Sequence, residues 1–291
     1  MADKALTDFE KLKKAQDANL LILEEIDRLC RLHGITYLLD SGTLIGAVRH
    51  EGFIPWDDDV DIAFTRENWE RFKAFSHELK SGFSLLLPED FAGGTRFFDF
   101  TPRVIFDKSI RSMGGGLGFY KGEEAANYYE GRLNHLWVDI FILDNDPDSA
   151  LLGKIARLKL KALYGMAMHY RFELDMDKYK GMEKLFVMTL SLMGRLVSMP
   201  RIFKMYEKTS VWFNKNKTKK LYYSNYQPDW LHCSVEREWS ESAIERSFEG
   251  KRFMCPKDSE SVLTMLYGDY MKLPPEEKRV PTHSEDIEIL E

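Results

Sequence analysis

Apolar residues near the N-terminus recur at helical spacing, with Phe9, Leu12, Leu20, Leu23, Ile26 and Cys30 on one stripe. Thr7 and Glu10 form a capping box ahead of that stripe and Gly34 stops it, so the pattern predicts a helix between them. The period then shortens. Residues 35–39 read as a strand, Ser41-Gly42-Thr43 opens a short helix through Val48, and Glu51-Gly52 turns the chain. After Pro55, residues 57–64 alternate polar and apolar, which predicts a strand with its acids on one face and Val60, Ile62 and Phe64 towards the core. Trp69, Phe72, Phe75 and Leu79 mark the inner face of a third helix over 65–80.

Farther along, apolar runs at 83–87, 97–106 and 136–143 lie between Gly, Pro and Asp and read as strands. The glycine-rich stretch 113–118 between two of them is expected to be a loop over a ligand. From about 149 to 220 the pattern is helical, broken near Gly181 and Pro200 and ending in Lys215, Lys217, Lys219 and Lys220. Within it, an uncharged run of about ten residues between Lys184 and Arg195 is shorter than the ~20 residues of a membrane span, so it predicts a buried or interfacial helix. The tail mixes short strands with one helix around 259–266, and Pro274-Pro275 ends any helix there. The expected organisation is a catalytic core over 1–148, a helical subdomain over 149–220, and a segment 221–291 that packs back on the core.

Composition narrows the class. The 291 residues are 44% hydrophobic and 13% aromatic, which excludes a disordered or collagen-like chain. A net charge of −6 argues against a protein that coats nucleic acid. Three widely spaced cysteines, Cys30, Cys233 and Cys255, form neither a disulfide framework nor a zinc ribbon. His232-Cys233 with Cys255 supplies too few ligands for zinc, and buried thiols are the simpler reading. No apolar leader precedes the first helix, so the expected setting is the cytoplasm, with at most peripheral contact between the lysine cluster and anionic lipid at the inner face of the membrane.

The acids carry the chemistry. Asp57, Asp59 and Asp61 at alternate positions would repel one another unless a cation neutralised them, and Mg2+ or Mn2+ suits oxygen ligands that bridge to phosphate. An EF-hand loop is excluded because Ile62 and Asn68 stand where Gly and Glu are required. Asp58 is expected to face the other way, and Asp57 is the weaker ligand because the Pro55-Trp56 turn can take it off the strand. Upstream, Gly42 and Thr43 at a helix start offer backbone donors to a phosphate. Asp139 is a lone acid in the apolar run 136–142, where an unpartnered buried carboxylate is costly and a metal offsets the cost. A nucleotide-sugar glycosyltransferase with a D-x-D strand end is the competing enzyme.

A Gly-Ser/Thr helix start followed by a D-x-D strand resembles the DNA polymerase β type of nucleotidyltransferase fold. The segment Tyr37-Leu38-Leu39-Asp40-Ser41-Gly42-Thr43-Leu44-Ile45-Gly46 through Pro55-Trp56-Asp57-Asp58-Asp59-Val60-Asp61-Ile62 resembles the LicD family of phosphocholine transferases, related to the fukutin group. Val138-Asp139-Ile140-Phe141, Phe248-Glu249-Gly250 and Leu266-Tyr267-Gly268-Asp269 extend the likeness. The resemblance implies an α/β (α+β) nucleotidyltransferase core with a small mixed sheet, a helical insertion and a C-terminal segment. It also implies metal-dependent transfer of phosphocholine from CDP-choline, or a related CDP-alcohol, to a glycan or teichoic acid precursor, which can be lipid-linked. Asp59 and Asp61 would hold Mg2+ or Mn2+, and Asp139 would complete the site and help activate the acceptor hydroxyl. Phosphate partners are expected among Gly42, Thr43 and Arg49, then Arg103, Lys108, Lys278 and Arg279. Trp56, Trp137, Phe119 and Tyr120 are the aromatic candidates for a quaternary ammonium. A catalytically silent glycan- or choline-binding relative is the non-enzyme alternative.

Overall fold

The computed structural model describes residues 7–111, 123–280 and 287–290; the glycine-rich stretch 113–118, Phe119 and Tyr120 lie outside them. A mixed seven-stranded sheet organises the chain. Helix α1 (Asp8–His33) starts with the Thr7–Glu10 capping box and ends at Gly34 in the left-handed conformation. β1 (Leu38–Leu39), α2 (Ser41–Arg49), β2 (Val60–Thr65) and α3 (Arg66–Phe75) follow, then β3 (Phe83–Leu86), β4 (Arg103–Phe106), β5 (Ser109–Arg111), α4 (Glu123–Tyr128) and the long β6 (Leu136–Asp146). Three helices come next: α5 (Ala150–Ala167), α6 (Gly181–Gly194) and α7 (Met199–Ser210). The chain ends with β7 (Lys220–Tyr223), β8 (Ser234–Glu236), α8 (Arg237–Ser240), the hairpin β9 (Ala243–Phe248) and β10 (Lys251–Pro256), α9 (Ser259–Tyr267) and β11 (Ile287–Ile289).

Five strands run in the order β1-β2-β6-β4-β3, and β7 and β8 extend the sheet from β6. β2 and β6 are parallel, whereas the other pairings in the sheet are antiparallel. Strand β6 is long enough to meet β4 with its first half and β7 with its second. Between those partners the buried Asn225 side chain takes over the ladder, accepting from Ile142 N–H at 2.8 Å and donating to Ile140 C=O at 2.9 Å. An unpaired backbone group buried there would be costly, and the amide removes the cost.

Ile22, Ile26 and Leu29 of α1 join Val60, Ile62 and Phe64 of β2 and Val138 and Ile140 of β6 in the main core. Leu160 and Leu163 of α5 and Ile202 and Tyr206 of α7 form a second core with Phe97, Phe100 and Tyr222.

Several expected elements are shorter than their apolar runs. β1 has two residues, and the third helix gives way to a 3-10 turn after Phe75. The run 97–106 becomes strand only at Arg103, because Phe97 and Phe100 enter the α5–α7 core while Phe98 enters another with Trp137. Helix ends at Ser210, and Lys220 begins a sheet strand instead of closing a helix, since Leu221, Tyr222 and Tyr223 are buried. Strand β2 starts at Val60, so of the three alternating acids only Asp61 is on the strand. Asp57 and Asp58 are drawn off it because Gln16 and Asn19 of α1 donate to their backbone carbonyls, at 2.8 and 2.5 Å.

Candidate active site

Two connected segments build one wall. The Asp40 N–H donates to Asp61 C=O at 3.0 Å, and the Asp61 N–H donates to Thr43 Oγ1 at 2.9 Å, so the start of α2 is tied to the start of β2. Thr43 is therefore a buried brace, and its side chain serves the strand. Ser41 has a positive φ of 49°, and a Cβ added to Gly42 would come within 2.7 Å of Asp57 Oδ2. Glycine thus lets a carboxylate approach the helix start closely.

Behind this wall Asp40 is buried. Its carboxylate accepts from Tyr223 OH at 2.8 Å and from Ser41 Oγ at 3.3 Å, and Ser41 Oγ lies 2.6 Å from Tyr226 OH. Burial pushes Asp40 up to about 6, against the pull of those donors.

The parallel register sets Asp61 beside Asp139, on strands that are about 4.8 Å apart. Asp139 accepts from Trp137 Nε1 at 3.1 Å and is ion-paired with Arg103 Nε at 2.8 Å. Arg103 is itself buried and bidentate on Asp99, at 3.0 and 2.7 Å, with its guanidinium over the Phe98 and Trp137 rings. Arg103 is thus committed to carboxylates and orients Asp139.

A cleft of about 400 Å3 is lined by Asp57, Asp59, Asp61 and Asp139, by Gly42, Ser41, Asp99, Thr101 and Arg103, and by Phe141, Tyr226, Gln227, Trp230 and Tyr267. Carboxylate oxygens of Asp57, Asp58 and Asp59 all lie within 4.8 Å of one another; Asp58 is buried and off the cleft lining, yet it turns an oxygen towards the other two instead of facing away from them as expected, because it lies in the turn before β2 and not on the strand. Burial and the charges of Asp139, Asp59, Asp40 and Asp57 raise Asp61 well above the carboxylate range, and burial raises Asp139 against the pull of Arg103. Hard oxygen donors that raise one another's pKa fit a divalent cation.

A larger cavity, about 780 Å3, lies against Trp69, Phe203 and Tyr206. It shares the segments 99–103 and 224–227 with the acidic cleft, other residues of each facing it. Its Arg66 is occupied by Asp144 at 2.9 and 2.6 Å. The carboxylate cluster, rather than volume, picks the smaller cleft as the candidate site.

The remaining expected ligands lie off this lining. Arg49 donates to Tyr270 C=O at 2.6 Å from the far end of α2, and Lys108 lies in the β4–β5 turn with its stem over Gly82. Lys278 is exposed, and Arg279 donates to Pro274 C=O and lies 5.9 Å over the Trp56 ring. Trp137 braces Asp139 from the strand. The cleft's aromatic residues are instead Phe141, Tyr226, Trp230 and Tyr267, which local sequence pattern does not single out. Asp40 and Asp99 were equally silent as functional positions, although the 99/103 spacing of opposite charges is a weak clue. The three cysteines are buried free thiols, with Cys233 Sγ 3.9 Å from His232 Nε2.

Residues 34–99 match the profile described as LicD/FKTN/FKRP, nucleotidyltransferase domain. That span runs from the end of α1 to Asp99 and includes α2, the acidic turn and β2, whereas Asp139 comes from beyond it. The chain is 29% identical over 96% of its length to the lipopolysaccharide cholinephosphotransferase LicD of Haemophilus influenzae, covering 98% of that protein. Shorter matches, 39% and 45% identical over 20% and 16% of this chain, link it to uncharacterised proteins of Rickettsia typhi and Rickettsia prowazekii. The mixed sheet, the α2 start set against β2 and these matches together show that residues 34–99 are similar to the nucleotidyltransferase domain of the LicD/FKTN/FKRP family.

Proposed function

We propose that this protein is a divalent-cation-dependent transferase that moves phosphocholine from CDP-choline to a hydroxyl of a cell-surface glycan precursor and releases CMP. The observation that carries this reading is the convergence of Asp59, Asp61 and Asp139 in one cleft with the start of α2 and four aromatic rings. The full-length likeness to a lipopolysaccharide cholinephosphotransferase supports the choice of substrate.

Asp59, Asp61 and Asp139 would hold Mg2+ or Mn2+, with Asp57 beside them. The ion supplies positive charge for the diphosphate and for the developing charge of an in-line transfer. Ser41 and Gly42 at the α2 start offer backbone N–H donors to phosphate. The acceptor oxygen attacks the phosphorus that bears choline, the bond from that phosphorus to the CMP oxygen breaks, and CMP departs with the electron pair. Asp139, held by Arg103 and Trp137, takes the acceptor proton. Phe141, Tyr226, Trp230 and Tyr267 line the cleft as a row of rings packed on one another, with neighbouring centroids 4.2, 6.3 and 6.2 Å apart, and a quaternary ammonium in the cleft would lie on this aromatic wall, not between the rings, within about 6 Å of a ring centroid.

A thermal-shift panel of CDP-choline, CDP-ethanolamine, CDP-ribitol and UDP-sugars, each with Mg2+ or EDTA, tests the reading. The expected result is stabilisation by CDP-choline that requires Mg2+ and is absent in Asp61→Asn. Stabilisation by UDP-sugars in place of CDP-choline would overturn it in favour of a glycosyltransferase.

A further inference from the structure

Helix α6 inverts the usual surface pattern. Met182, Leu185, Phe186, Leu192, Met193 and Leu196, on α6 and the turn after it, are 48% to 84% exposed. At about 100° per residue these positions fall within an arc of roughly 120°, a continuous apolar stripe. The opposite side is where α6 is anchored. Leu190 and Gly194 are its only buried residues; Leu190 packs against Gly165, and Gly194 against the Met166 carbonyl of α5. The stripe is therefore left to solvent by the fold, and α5 adds exposed Leu151, Ile155 and Leu158. Apolar surface arranged in this way marks an interaction site.

Charge identifies the partner. Residues 149–210 carry twelve Lys and Arg against five Asp and Glu, a local charge of +7 in a chain of −6. Helix α5 has Lys154, Arg157, Lys159 and Lys161 and no acid. Helix α6 by itself is too short to span: it has 14 residues, or about 21 Å of helix, against a hydrocarbon core of about 30 Å. No single helix among the described residues is long and apolar enough to cross a membrane, and α6 and α7 meet at 117°.

We propose that α6, with the basic α5 beside it, is an interfacial docking face for an anionic phospholipid bilayer. The apolar stripe enters the boundary between headgroups and acyl chains, and the lysines and arginines meet the headgroups. A second copy of the chain suits the face less well, because a two-fold contact would set one +7 region against another. The inference does not depend on the transferase reading, because it uses none of the cleft residues.

Vesicle flotation tests it, with phosphatidylcholine vesicles compared with vesicles enriched in phosphatidylglycerol. The full chain is expected to float with the anionic vesicles only, and less in high salt. Leu185→Glu/Leu192→Glu should lower partitioning about tenfold or more, and the milder Met182→Ser/Leu196→Ser severalfold. Both should keep the parent melting temperature and turnover with a soluble acceptor. Absence of binding to anionic vesicles, or equal binding by both variants, would overturn the proposal. So would a dimer in light scattering that Leu185→Glu/Leu192→Glu splits, which would assign the face to a second copy.

Discussion

At the scale of single residues, the candidate site depends on close approaches that few side chains permit. Gly42 leaves space for Asp57, and an alanine there would press its Cβ to 2.7 Å from Oδ2. Gly42→Ala is expected to cost about 1 kcal/mol of stability, and more than tenfold in turnover because the carboxylate must move; urea melts and CMP release check the two separately. The buried Asp40 has a different role, as the acceptor of Tyr223 OH and a neighbour of Ser41 and Tyr226. Tyr223→Phe leaves that carboxylate short of a donor and should destabilise the protein by about 1–3 kcal/mol, measured by chemical denaturation. The chemistry of the residues was legible from local pattern where the pattern was dense: three alternating acids, a glycine beside a hydroxyl, a lone acid in an apolar run. It was silent at Asp40 and at the aromatic residues Tyr226, Trp230 and Tyr267; Tyr226 and Asp40, which meet in the fold, are 186 residues apart in the chain. Among the basic residues, Arg103, an expected phosphate partner, does line the cleft, but local pattern did not show that it is held between Asp99 and Asp139.

At the scale of elements, the acidic turn is held from α1. Gln16 and Asn19, polar positions on the buried face of a helix, take the carbonyls of Asp57 and Asp58 and so bend the chain before β2 begins. Asn19→Ala should cost about 1–3 kcal/mol by orphaning a buried carbonyl. It should also lower turnover more than it lowers the affinity for CDP-choline, which kcat and KM determined separately will show. The helix stripe of α1 was readable because 3.6-residue periodicity and a capping box are local. The late starts of β1, β2 and β4 were not, because the number of ladder bonds a strand makes depends on which neighbour reaches it. Phe97 and Phe100 look like strand residues in sequence, but in the fold they fill a gap between α5 and α7.

At the scale of the whole molecule, segments far apart in sequence complete one sheet and one cleft. β7, some 74 residues beyond the end of β6, finishes the edge of β6, and Tyr226 just beyond β7 closes the site that α2 and β2 open. The three thiols are buried in the main core as well. Burial pushes Cys255 up to about 12 and Cys233 up to about 11, so neither is a thiolate near neutral pH. Alkylation at pH 8 should therefore label none of the three cysteines in the folded protein and all three after unfolding in guanidinium, as read by intact mass. The sequence by itself determined the helix stripes and singled out two apolar, acid-bearing segments, because side-chain period and local charge act over a few residues. Only the tertiary structure decided which acids share a cleft, which arginine is spent on holding one of them, and which aromatic rings line it. Those outcomes follow from strand register and long-range packing, where a partner is chosen by complementarity across space and leaves no periodic trace along the chain.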